Sequence, residues 1–157
     1  MTNLEATESS PSNVVAGREP ADGECRFCGS TPAVKTTQQG IGSFLIFYRI
    51  TTWRDQMCRS CAEAVHRDAN AKTMTWGWWG LGGIMFWMFL LGNAARMRAA
   101  RALDHPRRTA GVAAPLNEPM VPGEPWFRRR AALVATCIGG TGWLLLVAIV
   151  VAALVLP

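Results

Sequence analysis

Two pairs of cysteines are the residues whose type and spacing predict chemistry in this chain. Cys25 and Cys28 form one C-x-x-C pair, Cys58 and Cys61 form a second, and 29 residues separate the pairs. A C-x-x-C turn lets two thiolates face one ion, and four thiolates close a tetrahedral zinc site. The spacing therefore predicts a structural Zn²⁺ ion held by Cys25, Cys28, Cys58 and Cys61.

The residues beside the cysteines favour such a site. Gly29 follows the first pair and can adopt the positive φ that a tight turn needs. Ser60 and Glu63 have the spacing of a capping box, which predicts a helix that begins at Cys61 and continues through Ala71. A thiolate at the N-terminus of that helix is stabilised by the helix dipole.

The cysteines alone leave other chemistries open. Two disulfides among the same four residues would suit an extracellular domain. A reactive dithiol at Cys25 and Cys28, or at Cys58 and Cys61, would make the protein a membrane-tethered thiol oxidoreductase or redox sensor, although no βαβ pattern surrounds either pair. His66 is a further candidate ligand, but four cysteines suffice and we expect it on a solvated helix face.

The segment between the two pairs predicts a short β-hairpin. Residues 33–37 and 44–50 have strand character, and residues 39–42, with two glycines, predict the turn between them. An isolated hairpin of this size is marginal in water, so a metal would have to staple it. Residues 25–73 are therefore predicted to form a zinc-ribbon-like four-cysteine module with a lead-in helix. Residues 1–24, rich in Ser, Pro and acidic side chains, predict a disordered tail.

Two apolar runs occupy the C-terminal half of the chain. Residues 76–92 contain no charge, and we expect a first transmembrane or re-entrant helix over 74–93. Residues 131–157 predict a second transmembrane helix, and 94–130 an Arg-rich, Pro-containing loop. Small residues on both runs, such as Gly83 and Gly139, predict close helix packing. The predicted fold is a small zinc-ribbon-like β-hairpin module followed by a two-helix transmembrane hairpin, an α-helical membrane protein.

Charge is concentrated in one part of the chain, whose formal net charge is +5. Residues 93–132 hold eight arginines and three acidic residues, whereas residues 1–73 hold eight basic and eight acidic residues. Arginines beside a span predict the cytoplasmic side and contacts with anionic lipid headgroups. The neutrality of residues 1–73 favours a protein partner and disfavours nucleic acid.

The sequence features make conflicting predictions about which side of the membrane each segment occupies. A cytoplasmic cysteine module and a spanning first run would place the arginine loop outside, against the positive-inside rule. The spanning first helix and the cytoplasmic module are the simpler architecture, and they are what we expect.

A family resemblance rests on three stretches. Residues 25–34, residues 58–61 and residues 77–80 ahead of an apolar run resemble small, uncharacterised actinobacterial membrane proteins with an N-terminal zinc-ribbon-like module. In that group a Gly commonly follows the second cysteine pair, where this chain has Ala62. The resemblance covers residues 25–100 and implies architecture and a multi-pass protein of the bacterial plasma membrane, without an activity.

The function predicted from these features is structural. The sequence shows no P-loop and no Ser/His/Asp pattern, and neither apolar run contains Asp, Glu, Lys, Arg or His. Pumps and proton-coupled transporters need such groups within the membrane. We therefore expect a non-enzymatic, membrane-anchored zinc-binding protein that acts as an interaction or scaffold subunit, with the lipid bilayer and a protein as its partners.

Overall fold

A three-stranded sheet and three helices make up the fold. The structure is a computed structural model that describes residues 21–80, 85–107 and 118–155, so the tail predicted for residues 1–24 lies mostly outside it. In chain order the elements are β1 (Ala33–Leu45), β2 (Phe47–Cys58), α1 (Arg59–Trp76), β3 (Trp79–Gly80), α2 (Phe86–Arg101), a 3-10 turn (Trp126–Arg128) and α3 (Arg130–Val155). The strand order is β2-β1-β3, with β2 antiparallel and β3 parallel to β1.

The hairpin is longer than its sequence predicts. Its register runs from Ala33 opposite Cys58 to Phe44 opposite Phe47, so Leu45 and Ile46 form the turn. The turn predicted for residues 39–42 is wrong, because these residues lie inside β1. Their glycines serve close packing instead: a Cβ on Gly40 would lie 3.3 Å from the Ala69 carbonyl oxygen of α1.

Helix α1 confirms the predicted lead-in helix and begins two residues earlier. Cys58 is its N-cap residue and makes no side-chain capping bond, so the Ser60–Glu63 box does not start the helix. One face of α1 packs against β1 and α2, and this face carries the buried residues Cys61, Ala62, Val65, His66, Ala69, Asn70, Thr73 and Met74.

Side chains close the outer edge of β1. Asn93 of α2 is fully buried; its Oδ1 accepts a hydrogen bond from the Gln39 N–H (2.9 Å), and its Nδ2 donates to the Gln39 carbonyl oxygen (2.7 Å). Two residues further along β1, the Ile41 N–H donates a hydrogen bond to Thr73 Oγ1 of α1 (3.2 Å). These bonds satisfy backbone groups that an edge strand would otherwise leave open.

The first apolar run is not a spanning helix, and the predicted two-helix transmembrane hairpin is wrong. Residues 76–92 serve three elements: Trp76 ends α1, β3 pairs with the end of β1, and Phe86 is a core residue at the start of α2. Gly80 allows that pairing, because a Cβ there would overlap the Leu45 carbonyl oxygen. Residues 81–84, including Gly83, lie outside the described residues. Within the described ranges, α3 alone is long and apolar enough to cross a membrane, with a mean hydropathy of 2.4, so a multi-pass topology is not shown.

The C-terminal part of the arginine loop packs back onto α1. Arg129 forms an ion pair with Asp68 (3.2 Å), and Arg67 Nη1 donates to the Gly123 carbonyl oxygen (2.9 Å). We call the described residues from 21 to 129 the head. Because the loop is part of the head, the conflict over sidedness, which required a spanning first run, does not arise.

Candidate metal site

The first cysteine pair lies on a tight turn ahead of β1. The Gly29 N–H donates to the Cys25 carbonyl oxygen (2.7 Å), and the Cys25 N–H donates to the Ser30 carbonyl oxygen (3.0 Å). Gly29 has a φ of 67°, in the left-handed region that favours glycine, as the sequence predicts. The turn brings both sulfurs of the pair to the same side.

The second pair lies at a junction between a strand and a helix. Cys58 ends β2, and Cys61 is in the first turn of α1. The two pairs therefore differ in local backbone, and Ala62 rather than Gly follows the second pair because the helix continues there. Both sulfurs lie at the positive end of the α1 dipole, but their contacts with Cys25 and Cys28 outweigh it and raise the pKa of both.

The four sulfurs form one compact group. All four Sγ atoms lie within 4.8 Å of one another, with Cys28–Cys58 at 3.6 Å and Cys28–Cys61 at 3.7 Å. A Zn–S bond of about 2.3 Å in tetrahedral geometry places the sulfurs about 3.8 Å apart. The four cysteines are therefore close enough to bind one metal ion, and their spacing fits a tetrathiolate.

The same distances bear on the two alternatives. A disulfide needs an S–S separation of about 2.0 Å, and all five cysteines are free. The four clustered side chains are buried, with exposed fractions of 0–2%. An exchange-active dithiol must be reached by a second thiol or disulfide, so this burial disfavours a catalytic dithiol.

Crowding of the four sulfurs separates their pKa values. The contact with Cys28 raises the pKa of Cys25, but the contacts with Cys58 and Cys61 together outweigh it and lower this pKa to about 7. The hydrogen bond with Cys25 holds the pKa of Cys28 far below its usual range. The same neighbour raises the pKa of both Cys58 and Cys61. A divalent cation bound by the four sulfurs would displace the protons that they hold.

Later parts of the chain close the site. The Met120 N–H donates to Cys61 Sγ (3.5 Å), and Thr31 and Arg107 exchange two backbone hydrogen bonds of 3.0 and 2.8 Å. Met97 and Ala100 of α2 pack in the same buried cluster as the cysteines. Sequence reasoning assigned these residues to a loop; the i, i+3 spacing of Met97 and Ala100 was the available signal for a buried helix face.

The sequence led us to expect His66 on a solvated helix face, and this prediction is wrong. It is 7% exposed; its Nδ1 lies 3.1 Å from Gln38 Oε1, and its Nε2 lies 3.2 Å from Asn70 Nδ2. Asn70 Oδ1 in turn accepts from Asn93 Nδ2 (3.0 Å). Desolvation lowers the pKa of His66, so the neutral ring links β1 to α1 within a chain of buried polar side chains.

No protein-family model, curated protein or solved structure matches this chain. The resemblance to actinobacterial membrane proteins therefore stays a prediction, and the function is argued from the geometry.

Proposed function

We propose that the protein is a non-enzymatic, membrane-anchored zinc protein whose head serves as an interaction or scaffold module. The observation that carries the proposal is the buried four-sulfur group, in which Cys25, Cys28, Cys58 and Cys61 would each supply one thiolate to a structural Zn²⁺. Four protein ligands leave no coordination position for a substrate or an activated water, as is typical of structural rather than catalytic zinc.

The head depends on this group because its apolar core is divided. One buried cluster surrounds the cysteines with Phe27, Met57, Val65 and Met97, and a second, around Ile41, Met74 and Phe86, lies towards the other end of the sheet. Removing the ion would leave four buried sulfurs in the centre of the first cluster. We expect zinc binding and folding of the head to be coupled.

Helix α3 supports the membrane anchor. Only 6% of its most apolar 18-residue stretch is buried within the protein, and every residue from 144 to 155 is exposed. A helix that is apolar on all sides and exposed needs an apolar environment, and 26 residues are long enough to cross a bilayer. With a single span the head and the loop would lie on one side, and the arginines favour the cytoplasmic side, next to anionic headgroups.

Charge argues for a protein partner. Basic and acidic residues balance over residues 1–73, and the surplus arginines of the head all lie after residue 95, in the part that this proposal sets next to the lipid headgroups. Nucleic-acid binding requires a basic face that is free. The ion pairs of the head, such as Arg26 with Asp55 and Arg101 with Glu63, neutralise its charges locally.

Metal content tests the proposed zinc site. The purified protein should contain about one zinc per chain, and Cys28→Ser or Cys58→Ser should lose the metal and make the head sensitive to protease. Cys137→Ser is the matched control, because Cys137 lies on the exposed face of α3 and should leave the zinc unchanged. A metal-free wild-type protein with a reversible dithiol would refute the proposal and support the thiol oxidoreductase. A Cys58→Ser protein that keeps its metal and its protection would also refute it.

Thiol labelling in cells tests the single span. In a Cys137→Ser background, a cysteine at Val121, which is 88% exposed in the loop, or at Lys35 in β1 should react with an impermeant maleimide only after lysis. Opposite results at the two positions would show that they lie on different sides, which the fold excludes. Labelling of both in intact cells would place the head outside.

A further inference from the structure

The hairpin tip of the head exposes large apolar side chains. The tip, Phe44, Leu45, Ile46 and Phe47, is 64–73% exposed at each residue. Two-residue hairpin turns in water usually contain Asn-Gly or Asp-Gly, because the turn requires positive φ. Here Leu45 has that conformation, with φ 54°, and apolar residues flank it. The turn has a strained backbone and exposes four large apolar side chains, so it is better suited to an apolar environment than to water.

The exposed apolar surface continues on neighbouring elements at the same end. Trp76 at the end of α1 is 59% exposed, and Trp87 and Met88 in the first turn of α2 are 58% and 67% exposed. The tip also faces α3: Leu45 and Ile46 line an apolar groove of about 620 Å³ together with Ile138, Trp143 and Leu146 of α3 and residues around β3. One continuous apolar surface therefore joins the tip to the membrane anchor.

Helix α3 gives the depth of this surface. Trp78 packs so closely on Gly139 that a Cβ there would overlap it, and Trp143 Nε1 donates to the Trp78 carbonyl oxygen (3.1 Å). At 1.5 Å per residue, Gly139 and Trp143 lie about 14 and 20 Å beyond Arg130. Even at a tilt of about 40°, these depths remain about 10 and 15 Å. The headgroup layer is only about 5–8 Å thick, so arginines at the surface place Trp78 below the headgroups.

The charges of α1 agree with this depth. Asp68 pairs with Arg129 beside the start of α3, and Lys72 is the last charged residue of the helix. Trp76 follows one turn later, about 12 Å from Asp68 along the axis. Arg49, the charged residue nearest to the tip in β2, lines a cavity with Lys72, so it can extend towards the same level.

We propose that the hairpin tip and the first turn of α2 are embedded in the lipid of the leaflet that α3 enters, so that the head is partly immersed rather than suspended above the membrane. This inference rests on the proposed membrane anchor. The head then contacts the bilayer through two separate chain segments in addition to α3. Headgroups would surround the level of Arg49, Lys72 and Arg130, and acyl chains the tip.

Depth-dependent fluorescence quenching tests the immersion. An environment-sensitive nitrobenzoxadiazole dye is attached to Ile46→Cys in the Cys137→Ser protein, with zinc bound, in phosphatidylcholine and phosphatidylglycerol vesicles. Lipids carry a nitroxide either on the headgroup or on the middle of the acyl chain. Lys35→Cys, at the cysteine end of the same hairpin, is the matched control, and Ile149→Cys in α3 reports the anchor.

We expect mid-chain nitroxides to quench the dye at positions 46 and 149 several-fold more strongly than at position 35, with blue-shifted emission at both. Quenching at 149 but not at 46 would overturn the immersed tip and leave the anchor standing. Absence of quenching at both would overturn both. If position 46 instead crosslinks efficiently to a second copy and is not quenched, the surface is a protein interface and the inference is wrong. Phe47→Cys repeats the measurement if Ile46→Cys loses its zinc.

Discussion

Asn93 provides the sharpest test of how the head is held together. Its carboxamide makes both hydrogen bonds of the Gln39 backbone and a third with Asn70, and it is fully buried. Asn93→Leu keeps the branching at Cγ, with methyl groups in place of the amide oxygen and nitrogen, and removes all three bonds. The Gln39 N–H and carbonyl groups would then be buried without partners.

The expected cost follows from those two backbone groups. Each unsatisfied buried group costs about 1–3 kcal/mol, so the pair costs about 2–6 kcal/mol. Water entry beside α2 would moderate the loss, and we expect about 3 kcal/mol. For a folded unit of this size, that lowers the Tm by about 12–24 °C.

Thermal unfolding of the zinc-loaded protein in mild detergent measures the effect, and amide hydrogen exchange at Gln39 localises it. Thr73→Val is the matched control, because from the same strand edge it removes only the hydrogen bond to the Ile41 N–H, together with the Thr73 bond to the Ala69 carbonyl oxygen within α1, and should cost about 1 kcal/mol. The reasoning fails if Asn93→Leu unfolds within 3 °C of the wild type, or if exchange at Gln39 is unchanged.

Three further substitutions test single features. Burial lowers the pKa of His66, so the folded protein binds a proton at this ring less readily than the unfolded chain does. The free energy of unfolding should therefore be at its full value above pH 6.5 and fall as the pH drops below it. This fall should be smaller in His66→Gln at equal zinc occupancy. Gly139→Leu should lower stability by about 1–3 kcal/mol through overlap with Trp78, whereas Gly142→Leu, which faces open space, should not; equal Tm values would contradict the packing. Gly29→Ala, at φ 67°, should cost about 1–2 kcal/mol and weaken zinc retention in a chelator competition, and unchanged retention would show that the turn does not need glycine.

The cysteine site is the part of the molecule that the sequence predicts best. Metal-ligand spacing is a local property, so two C-x-x-C pairs and the positive φ of Gly29 can be inferred without knowledge of the fold. What spacing does not predict is the closure of the site by Met97 and Met120, because those contacts depend on how α2 and the loop return to α1.

The errors have a common physical origin. A continuous apolar run has the same composition whether it spans a bilayer or supplies a core residue, an edge strand and an exposed surface in turn, as residues 76–92 do. Gly40 resembled a turn residue because turns and close backbone packing both favour glycine. His66 resembled a surface residue because its partners, Gln38 and Asn70, are polar and 28 and 4 residues away.

Closure of the cysteine group by later residues has a consequence for the order of events during synthesis. All four sulfurs have been made by residue 61, whereas Met97 and Met120, which pack on the cysteines, and Arg107, which bonds to Thr31, follow α1 in the chain. A metal ion can therefore enter while the group is still open on the emerging chain. Packing of α2 and the loop would then trap it, so the finished protein would exchange its ion with the surroundings only as fast as that cover lifts.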